Sequence, residues 1–238
     1  MKLELLKNGM SVFTDADNRV TLDPLLLAHF SGLAGKKERL LELGCGCGVV
    51  SLWLFDRGFC GDVVAVELCE TAAELAREAV RHNGIERFEV VTGNMKGYRG
   101  DRKFDAVICN PPYFAVDSGV VSKNDRRALS RSETNACLMT AAKTAAGNIK
   151  EGGSFYFCYP PERLENAFAV LGACGFALKR LGFVKRFSTS SPWLALFDAK
   201  YRAKEGVKVM PDLVMYTEEE TVSEEFGEIT GKFEEKGI

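Results

Sequence analysis

Histidine, long apolar runs and an excess of charge of either sign are scarce or missing in this sequence. The 238 residues include two histidines, His29 and His82, both within predicted helices, and these offer no Ser/His/Asp catalytic set. No apolar run reaches the roughly 18 residues that a membrane-spanning helix requires, so we expect no membrane segment. The 31 Lys and Arg residues nearly balance the 33 Asp and Glu residues, for a formal net charge of −2. Global charge therefore does not indicate a nucleic-acid partner, and any such surface must be a local patch.

Apolar residues, by contrast, make up 46% of the chain, which suffices for a full buried core. Eight cysteines are scattered along the sequence, mostly inside apolar runs, as small buried hydrophobic residues usually are. The first ten residues, MKLELLKNGM, mix charged and apolar side chains and lack the apolar core of a secretory signal. We therefore expect a reducing, cytoplasmic setting and no disulfide framework.

Strand-like and helix-like segments alternate along the chain. Short runs rich in Val and Leu are typical of fully buried parallel strands, and segments with apolar residues at helical spacing follow them. The predicted strands are 39–44, 62–68, 88–94, 104–110 and 152–160, with a closing pair at 177–187 and 192–202. The predicted helices are 24–35, 49–58, 71–83, 133–149 and 161–175. This alternation predicts an α/β fold in which a mostly parallel sheet carries helices on both faces.

Local signals refine these assignments. Asp23 is predicted to be an N-cap, with Pro24 at the first helical position. Thr71 and Glu74 have the spacing of a capping box. We expect a single domain over 1–238. Its parts are a lead-in with a helix (1–38), a core (39–200) and an extension (201–238) whose acidic end is interpreted as solvated surface.

The first predicted strand-to-helix turn is rich in glycine, with Gly44, Gly46 and Gly48 at alternate positions. Glycine lets the backbone turn tightly and approach a ligand closely, and ligands of open α/β sheets bind at this turn. A G-x-G-x-x-G dinucleotide fingerprint looks similar, but its third glycine would fall at Val49. The observed spacing therefore favours S-adenosylmethionine (SAM) over NAD.

Other residues at the predicted strand ends are candidates for cofactor binding. Glu67 closes the second strand, where a carboxylate can accept both hydroxyls of a ribose; the alternative is an ordinary strand-end carboxylate. Asn94 closes the third strand and either reaches the adenine or is a plain turn residue. Cys45 and Cys47 are interpreted as small fillers, since two cysteines without a partner pair do not indicate a metal site, and no metal is expected. The predicted cofactor-binding residues are Glu42, Gly44, Gly46, Gly48, Glu67, Leu68, Asn94 and Asn110.

The fourth strand runs into Asn110, Pro111, Pro112, Tyr113 and Phe114, and proline cannot donate to a strand ladder. Methyl transfer to an exocyclic amine requires acceptors for its N–H groups, because its lone pair is delocalised into the ring. The Asn110 amide oxygen and the Pro111 carbonyl are two such acceptors, and both strengthen as the nitrogen gains positive charge. Pro112 stiffens the turn, Tyr113 can stack on a flat substrate, and Phe114 walls the pocket. The alternative is a plain Asx-Pro turn.

Together, the glycine-rich turn at 44–48 and the Asn-Pro-Pro-Tyr motif at 110–113 make residues 39–160 resemble a Class I SAM-dependent methyltransferase of the group that methylates planar amino groups. The resemblance implies the Rossmann-like fold of that class, with a mostly parallel seven-stranded sheet. Members of the group act on adenine N6 in DNA or RNA, on guanine N2 in ribosomal RNA, or on a glutamine amide of release factors.

Nearly the whole chain also resembles a narrower family, the bacterial tRNA adenine N6-methyltransferases that modify valine tRNA at position 37, just 3′ of the anticodon. The matching stretches are LDPLLLAHF, LELGCGCGVVSL, AVEL, ICNPPYF, RRALSRSE, EGGSFYFCYPPERL and GVKVMPDLVMY. The resemblance implies that 110–113 form the methyl-acceptor pocket and that the Asp23 region packs beside the cofactor. The chain departs from the family at Cys45 and Cys47, where members often carry threonine, and in the less basic context at 131–133.

Domain layout separates the possible amine substrates. About 35 residues precede the first predicted strand, too few for the helical domain of glutamine methyltransferases, and we find no room for the added domains of DNA-adenine or guanine-N2 enzymes. A tRNA partner is therefore expected, with oligomeric state undetermined. The predicted RNA contacts are Phe114, Lys123, Arg126, Arg127 and Arg131, and a second basic group lies within 179–208. Solvated basic faces, a glutamine-amide methyltransferase and a noncatalytic SAM- or RNA-binding module remain open alternatives.

Overall fold

A large central sheet organises the structure, a computed structural model that describes residues 1–111 and 137–231. The central sheet consists of β3 Arg39–Leu43, β4 Asp62–Glu67, β5 Phe88–Thr92, β6 Phe104–Cys109, β7 Ile149–Tyr159, β8 Phe176–Lys185, β9 Leu194–Tyr201, β10 Lys208–Val209 and β11 Leu213–Val214. Two further strands, β1 Lys2–Leu5 and β2 Ser11–Thr14, form a separate antiparallel pair. The helices of the structure are α1 Leu22–Ser31, α2 Val49–Asp56, α3 Glu70–His82, α4 137–148, α5 Leu164–Ala173 and α6 Glu224–Thr230, with a short 3₁₀ turn at Pro161–Arg163. No helix in these two ranges is both long enough and apolar enough to cross a membrane.

The main strands follow the order β5-β4-β3-β6-β7-β9-β8. The strand β9 runs antiparallel to both of its neighbours, and the other main strands are parallel. This arrangement confirms the predicted mostly parallel sheet of seven main strands, to which β10 and β11 add short parallel pairs with β8. The chain builds outward from β3 to β5 and then returns to place β6 on the other side of β3. Ligands of open α/β sheets bind at such a switch point, outside the carboxyl ends of the strands.

Alternate residues of the central strands enter two separate cores, one on each face of the sheet. Leu40 of β3 packs with α1, α2 and α3, whereas Leu41 and Leu43 pack with α4 and α5. Strands buried on both faces read as continuous apolar runs rather than as alternating patterns. The predicted helices on both faces are therefore confirmed.

Hydrogen bonds from α2 connect both terminal segments to the core. The Asp56 carboxylate accepts the backbone N–H groups of Asn8 at 3.1 Å and Met10 at 3.0 Å. On the same helix, the Trp53 indole donates to the carbonyl of Ile229 at 2.9 Å. Segments far apart in sequence thus share one helix as their anchor. The exact division of the chain at residues 38 and 200 stays a prediction.

The helix α1 begins earlier than its capping pattern predicts. Thr21, with φ −118° and ψ 170°, is the N-cap, and Leu22 is the first helical residue. The prediction that Asp23 caps this helix is therefore wrong. Asp23 lies in the first turn instead, where a carboxylate interacts favourably with the helix dipole.

The helix α3 also begins earlier than predicted. Cys69 is its N-cap and Glu70 its first residue, so the predicted capping box of Thr71 and Glu74 is wrong. The cause is a local hydrogen bond: the Glu67 carboxylate accepts the N–H of Cys69, two residues later, at 2.8 Å, so the chain turns into the helix directly after the strand.

Candidate active site

The carboxyl ends of β3, β4 and β6 meet at one edge of the sheet. The register pairs Leu43 with Val66 on β4 and with Cys109 on β6. The residues that come next in these strands are Gly44, Glu67 and Asn110. Parallel pairing therefore brings together, at one edge, predicted site residues from three separate parts of the sequence.

The glycine-rich turn requires glycine by its backbone geometry. Gly44, Gly46 and Gly48 have φ values of 71°, 55° and 84°, in the left-handed region that other residues rarely adopt. A Cβ at Gly48 would lie 3.3 Å from the Cβ of Ala76 on α3, whereas a Cβ at Gly46 would meet no atom within 4 Å. Gly48 therefore allows close helix packing, and Gly46 leaves open space at the surface of the turn.

The Glu67 carboxylate links this turn to the end of β4. Its Oε2 accepts the Gly46 N–H at 2.8 Å, and its Oε1 accepts the Cys69 N–H at 2.8 Å. A carboxylate offers about four acceptor positions, so two backbone bonds orient the group and leave capacity for further donors. The neighbouring Leu68 is 68% exposed, an apolar surface beside the carboxylate.

Glu42 lies beneath the turn rather than on its surface. Glu42 is only 2% exposed, and its carboxylate accepts a hydrogen bond from the Ser51 hydroxyl on α2. Burial raises the pKa of Glu42 to about 7, although the Ser51 hydrogen bond opposes the shift. Glu42 thus ties β3 to α2 directly behind the glycine turn.

The two cysteines of the turn are core residues. Cys45 and Cys47 are 6% and 4% exposed. Burial raises the pKa of the Cys45 thiol and raises that of Cys47 to about 12, so the thiolate form that binds metals is disfavoured. Their interpretation as small fillers agrees with this burial. Across residues 1–111 and 137–231, no three His, Cys, Asp or Glu side chains are grouped as metal ligands would be.

Asn94 occupies a turn after β5. Its Oδ1 accepts the backbone N–H of Lys96 at 2.8 Å, the geometry of an Asx turn. The turn alternative for Asn94 is thus observed, while its contact with adenine stays a prediction.

The amide-proline motif begins where β6 ends. Asn110 is partly buried, and its Oδ1 accepts a hydrogen bond from the Cys158 thiol on β7 at 3.1 Å. Pro111 is buried at the edge of the sheet. The predicted site residues outside the described ranges are Pro112, Tyr113, Phe114, Lys123, Arg126, Arg127 and Arg131.

Several cations of the second basic group are held within the protein. Arg180 pairs with Asp198 and Lys185 with Asp212, both at 2.7 Å. Lys179 donates to a nearby backbone carbonyl at 2.6 Å. Intramolecular bonds of this kind favour a structural role for these three side chains over phosphate binding.

Sequence reasoning missed two polar neighbours of the site, Ser51 and Cys158. Both lie in apolar runs, and both are fully buried. The alternation of side chains along a strand was a usable signal for the face of the sheet on which Cys158 lies, because residues two apart share one face. Ser51 follows the turn by three residues, and its partner is revealed only when α2 packs on β3.

Comparison with known proteins bears on this geometry. The model of the family described as "Methyltransferase small domain" matches residues 11–155. The chain belongs to this methyltransferase family. A predicted O-methyltransferase of Agrobacterium tumefaciens, known from a crystal structure, has the same fold, with a TM-score of 0.70 at 18% identity over 88% of this chain and 95% of that one.

Two relatives are similar in sequence. The tRNA1(Val) (adenine(37)-N6)-methyltransferase of Haemophilus influenzae is 27% identical over 223 residues, which cover 90% of each chain. The protein of the same name from Bacteroides thetaiotaomicron is 33% identical over 146 residues, 60% of this chain and 60% of that relative.

The methyltransferase identified in this way uses SAM, and the predicted fold, enzyme class and cofactor are confirmed. The residues at the sheet edge fit this cofactor. The turn leaves open space at Gly46, and Glu67 presents an oriented carboxylate next to it. SAM supplies an activated methyl group, so the protein's task is to bind and orient the two reactants.

Proposed function

We propose that this methyltransferase modifies N6 of an adenine in tRNA, at position 37 of a valine tRNA. The observation that carries the proposal is the placement of Asn110 and Pro111 beside Gly44 at the carboxyl edge of the sheet. The Haemophilus influenzae relative, whose name states this reaction, supports it because the similarity extends over 90% of both chains.

The turn and the ends of β4 and β5 bind the cofactor. The turn at 44–48 holds the amino-acid end of SAM, and Glu67 accepts hydrogen bonds from its ribose hydroxyls. Exposed Leu68 offers an apolar surface to the adenine ring, which Asn94 also contacts. Buried Glu42 supports the turn through its bond to Ser51 on α2.

The motif after β6 binds the substrate. The Asn110 Oδ1 and the Pro111 carbonyl accept the two N–H groups of the exocyclic amine, which directs the nitrogen lone pair toward the methyl donor. The interaction strengthens as the nitrogen becomes positively charged, so it stabilises the transition state more than the bound substrate. Pro112 keeps the turn rigid, and Tyr113 stacks on the base.

An adenine inside a stacked anticodon loop must leave the stack to reach these acceptors. Phe114 and the cations at Lys123, Arg126, Arg127 and Arg131 are the proposed contacts to RNA, since Lys and Arg neutralise phosphates. These contacts rest on their sequence positions directly after the motif.

The test supplies SAM labelled in its methyl group, together with bulk tRNA from a strain that lacks the enzyme and with purified release factors. We expect label in N6-methyladenosine of tRNA and none in protein. A valine tRNA transcript should accept label when position 37 is adenine and lose acceptance when it is guanine. Label in a glutamine of a release factor, or in a different nucleoside, would overturn the proposal. SAM binding without transfer to any acceptor would favour a noncatalytic module.

A further inference from the structure

We propose that Cys158 is a positioning residue that holds the Asn110 amide with its oxygen available to the substrate amine. This inference rests on the proposed function, in which Asn110 contacts the amine. The Cys158 thiol lies 3.1 Å from Asn110 Oδ1, within hydrogen-bond distance for a sulfur donor. Cys158 is fully buried and Asn110 is partly buried.

Strand register places these two side chains on the same face of the sheet. Cys109 pairs with Phe157, so the next residues, Asn110 and Cys158, are neighbours. Cys109 and Phe157 both pack in the core with α4 and α5, and Cys158 packs in the opposite core with α1, α2 and α3. Because side chains alternate along strands, Asn110 emerges on the Cys158 face. Strand β7 continues to Tyr159, past the end of β6, and so supports the motif where its own strand has stopped.

A thiol in this position distinguishes the two ends of the amide. The thiol hydrogen is a donor, whereas sulfur is only a weak acceptor, so the contact favours the amide oxygen over the amide nitrogen. An amide rotated by half a turn would present N–H groups to an amine that must itself donate. The amide oxygen has two lone pairs, so it has the capacity to accept from Cys158 and from a substrate N–H at the same time.

The chemistry predicts a specific response of turnover. Cys158→Ala removes the donor, and we expect kcat to fall about tenfold, because misplacing a positioning group lowers the fraction of productive complexes. The dissociation constant of SAM should stay within about twofold, because the Cys158 thiol hydrogen-bonds the proposed substrate acceptor, Asn110. Cys158→Ser retains a hydroxyl donor and should keep most of the turnover. Cys158→Val also removes the donor, with a somewhat larger apolar side chain in its place, and its kcat should fall like that of Cys158→Ala.

Cys109→Ala is the matched control. Cys109 is 1% exposed and immediately precedes Asn110, but its sulfur lies in the core on the opposite face. Its loss should destabilise the protein about as much as Cys158→Ala while leaving kcat close to wild type. All variants are assayed at saturating SAM with the acceptor that takes the label.

Comparisons between these variants decide the result. Positioning through Asn110 requires that Cys158→Ala lowers kcat no further in an Asn110→Ala background. If Cys158→Ala affects kcat no more than Cys109→Ala, or if folded Cys158→Ser is as slow as Cys158→Ala, the positioning role is wrong. If Asn110→Ala itself leaves kcat unchanged, the failure lies in the proposed function and removes the positioning role with it.

Discussion

Glu67 and Gly46 are joined by a hydrogen bond of 2.8 Å across 21 residues of sequence. The same carboxylate accepts the N–H of Cys69 at the start of α3. One side chain therefore holds the glycine turn, the end of β4 and a helix start in a fixed relation before any ligand binds. Preorganisation of this kind lowers the cost of ordering a binding site.

We expect Glu67→Ala to weaken SAM binding at least about tenfold, because it removes both the ribose acceptor and the bond that holds the turn. Isothermal titration calorimetry with SAM measures the change. Glu89→Ala is the control: Glu89 is an exposed carboxylate on the neighbouring strand β5, so its loss changes net charge equally. Equal SAM affinities for the two variants would contradict the proposed role of Glu67.

Asn110→Ala should lower kcat by about 10²–10³-fold, or about 3 kcal/mol, because a missing transition-state acceptor costs that much in comparable sites. SAM affinity should be unchanged. Asn94→Ala should show the reverse pattern, with weaker SAM binding and little change in kcat. Single-turnover rates and SAM titrations of both variants make the comparison. Weaker SAM binding with intact turnover in Asn110→Ala would mean that these roles are reversed.

Glu42→Gln should make stability less dependent on pH. The pKa of Glu42 is raised by burial from 4.5 to about 7, so the folded protein holds this proton more tightly than the unfolded chain. Its contribution to stability is therefore fully present below pH 4.5 and is lost as pH rises through about 7. Glutamine keeps an acceptor for Ser51 without the charge.

Relative to wild type, Glu42→Gln should thus gain about 3 kcal/mol of unfolding free energy between about pH 5 and pH 8, at 1.36 kcal/mol per pKa unit. Urea denaturation of both proteins across this range measures the difference. A difference that stays constant with pH would show that Glu42 titrates normally.

The glycines of the turn should respond differently to alanine. Both Gly46→Ala and Gly48→Ala require the new alanine to adopt a left-handed conformation, which costs about 1–2 kcal/mol, but Gly48→Ala adds a close contact with Ala76. We expect Gly48→Ala to have the larger loss in urea denaturation. Relative to its loss of stability, Gly46→Ala should lose more SAM affinity than Gly48→Ala does, because its methyl group enters the open space over the turn. Similar stability losses with full SAM binding by Gly46→Ala would argue against this division.

The sheet itself was predictable from local patterns. Runs such as 63–66 are apolar throughout because they are buried on both faces, and this buried type alternates with helical periodicity. Helix starts were less predictable, because α1 begins after Thr21, which makes no side-chain cap hydrogen bond, and α3 begins after the Cys69 N–H that Glu67 accepts rather than at Thr71. The motif after β6 was recognised as a chemical pattern, but Tyr113 and the basic residues that follow it stay predictions.

By itself, the sequence determined the parallel α/β architecture, the glycine turn and the amide-proline motif, because each depends on residue type and short-range spacing. Only the tertiary structure decided that Glu67 binds the turn, that Ser51 meets buried Glu42, and that Cys158 donates to Asn110. These contacts join separate strands and helices, so they arise from sheet register and helix packing. No local pattern carries that information, because hydrogen bonds across a fold depend on which elements become neighbours.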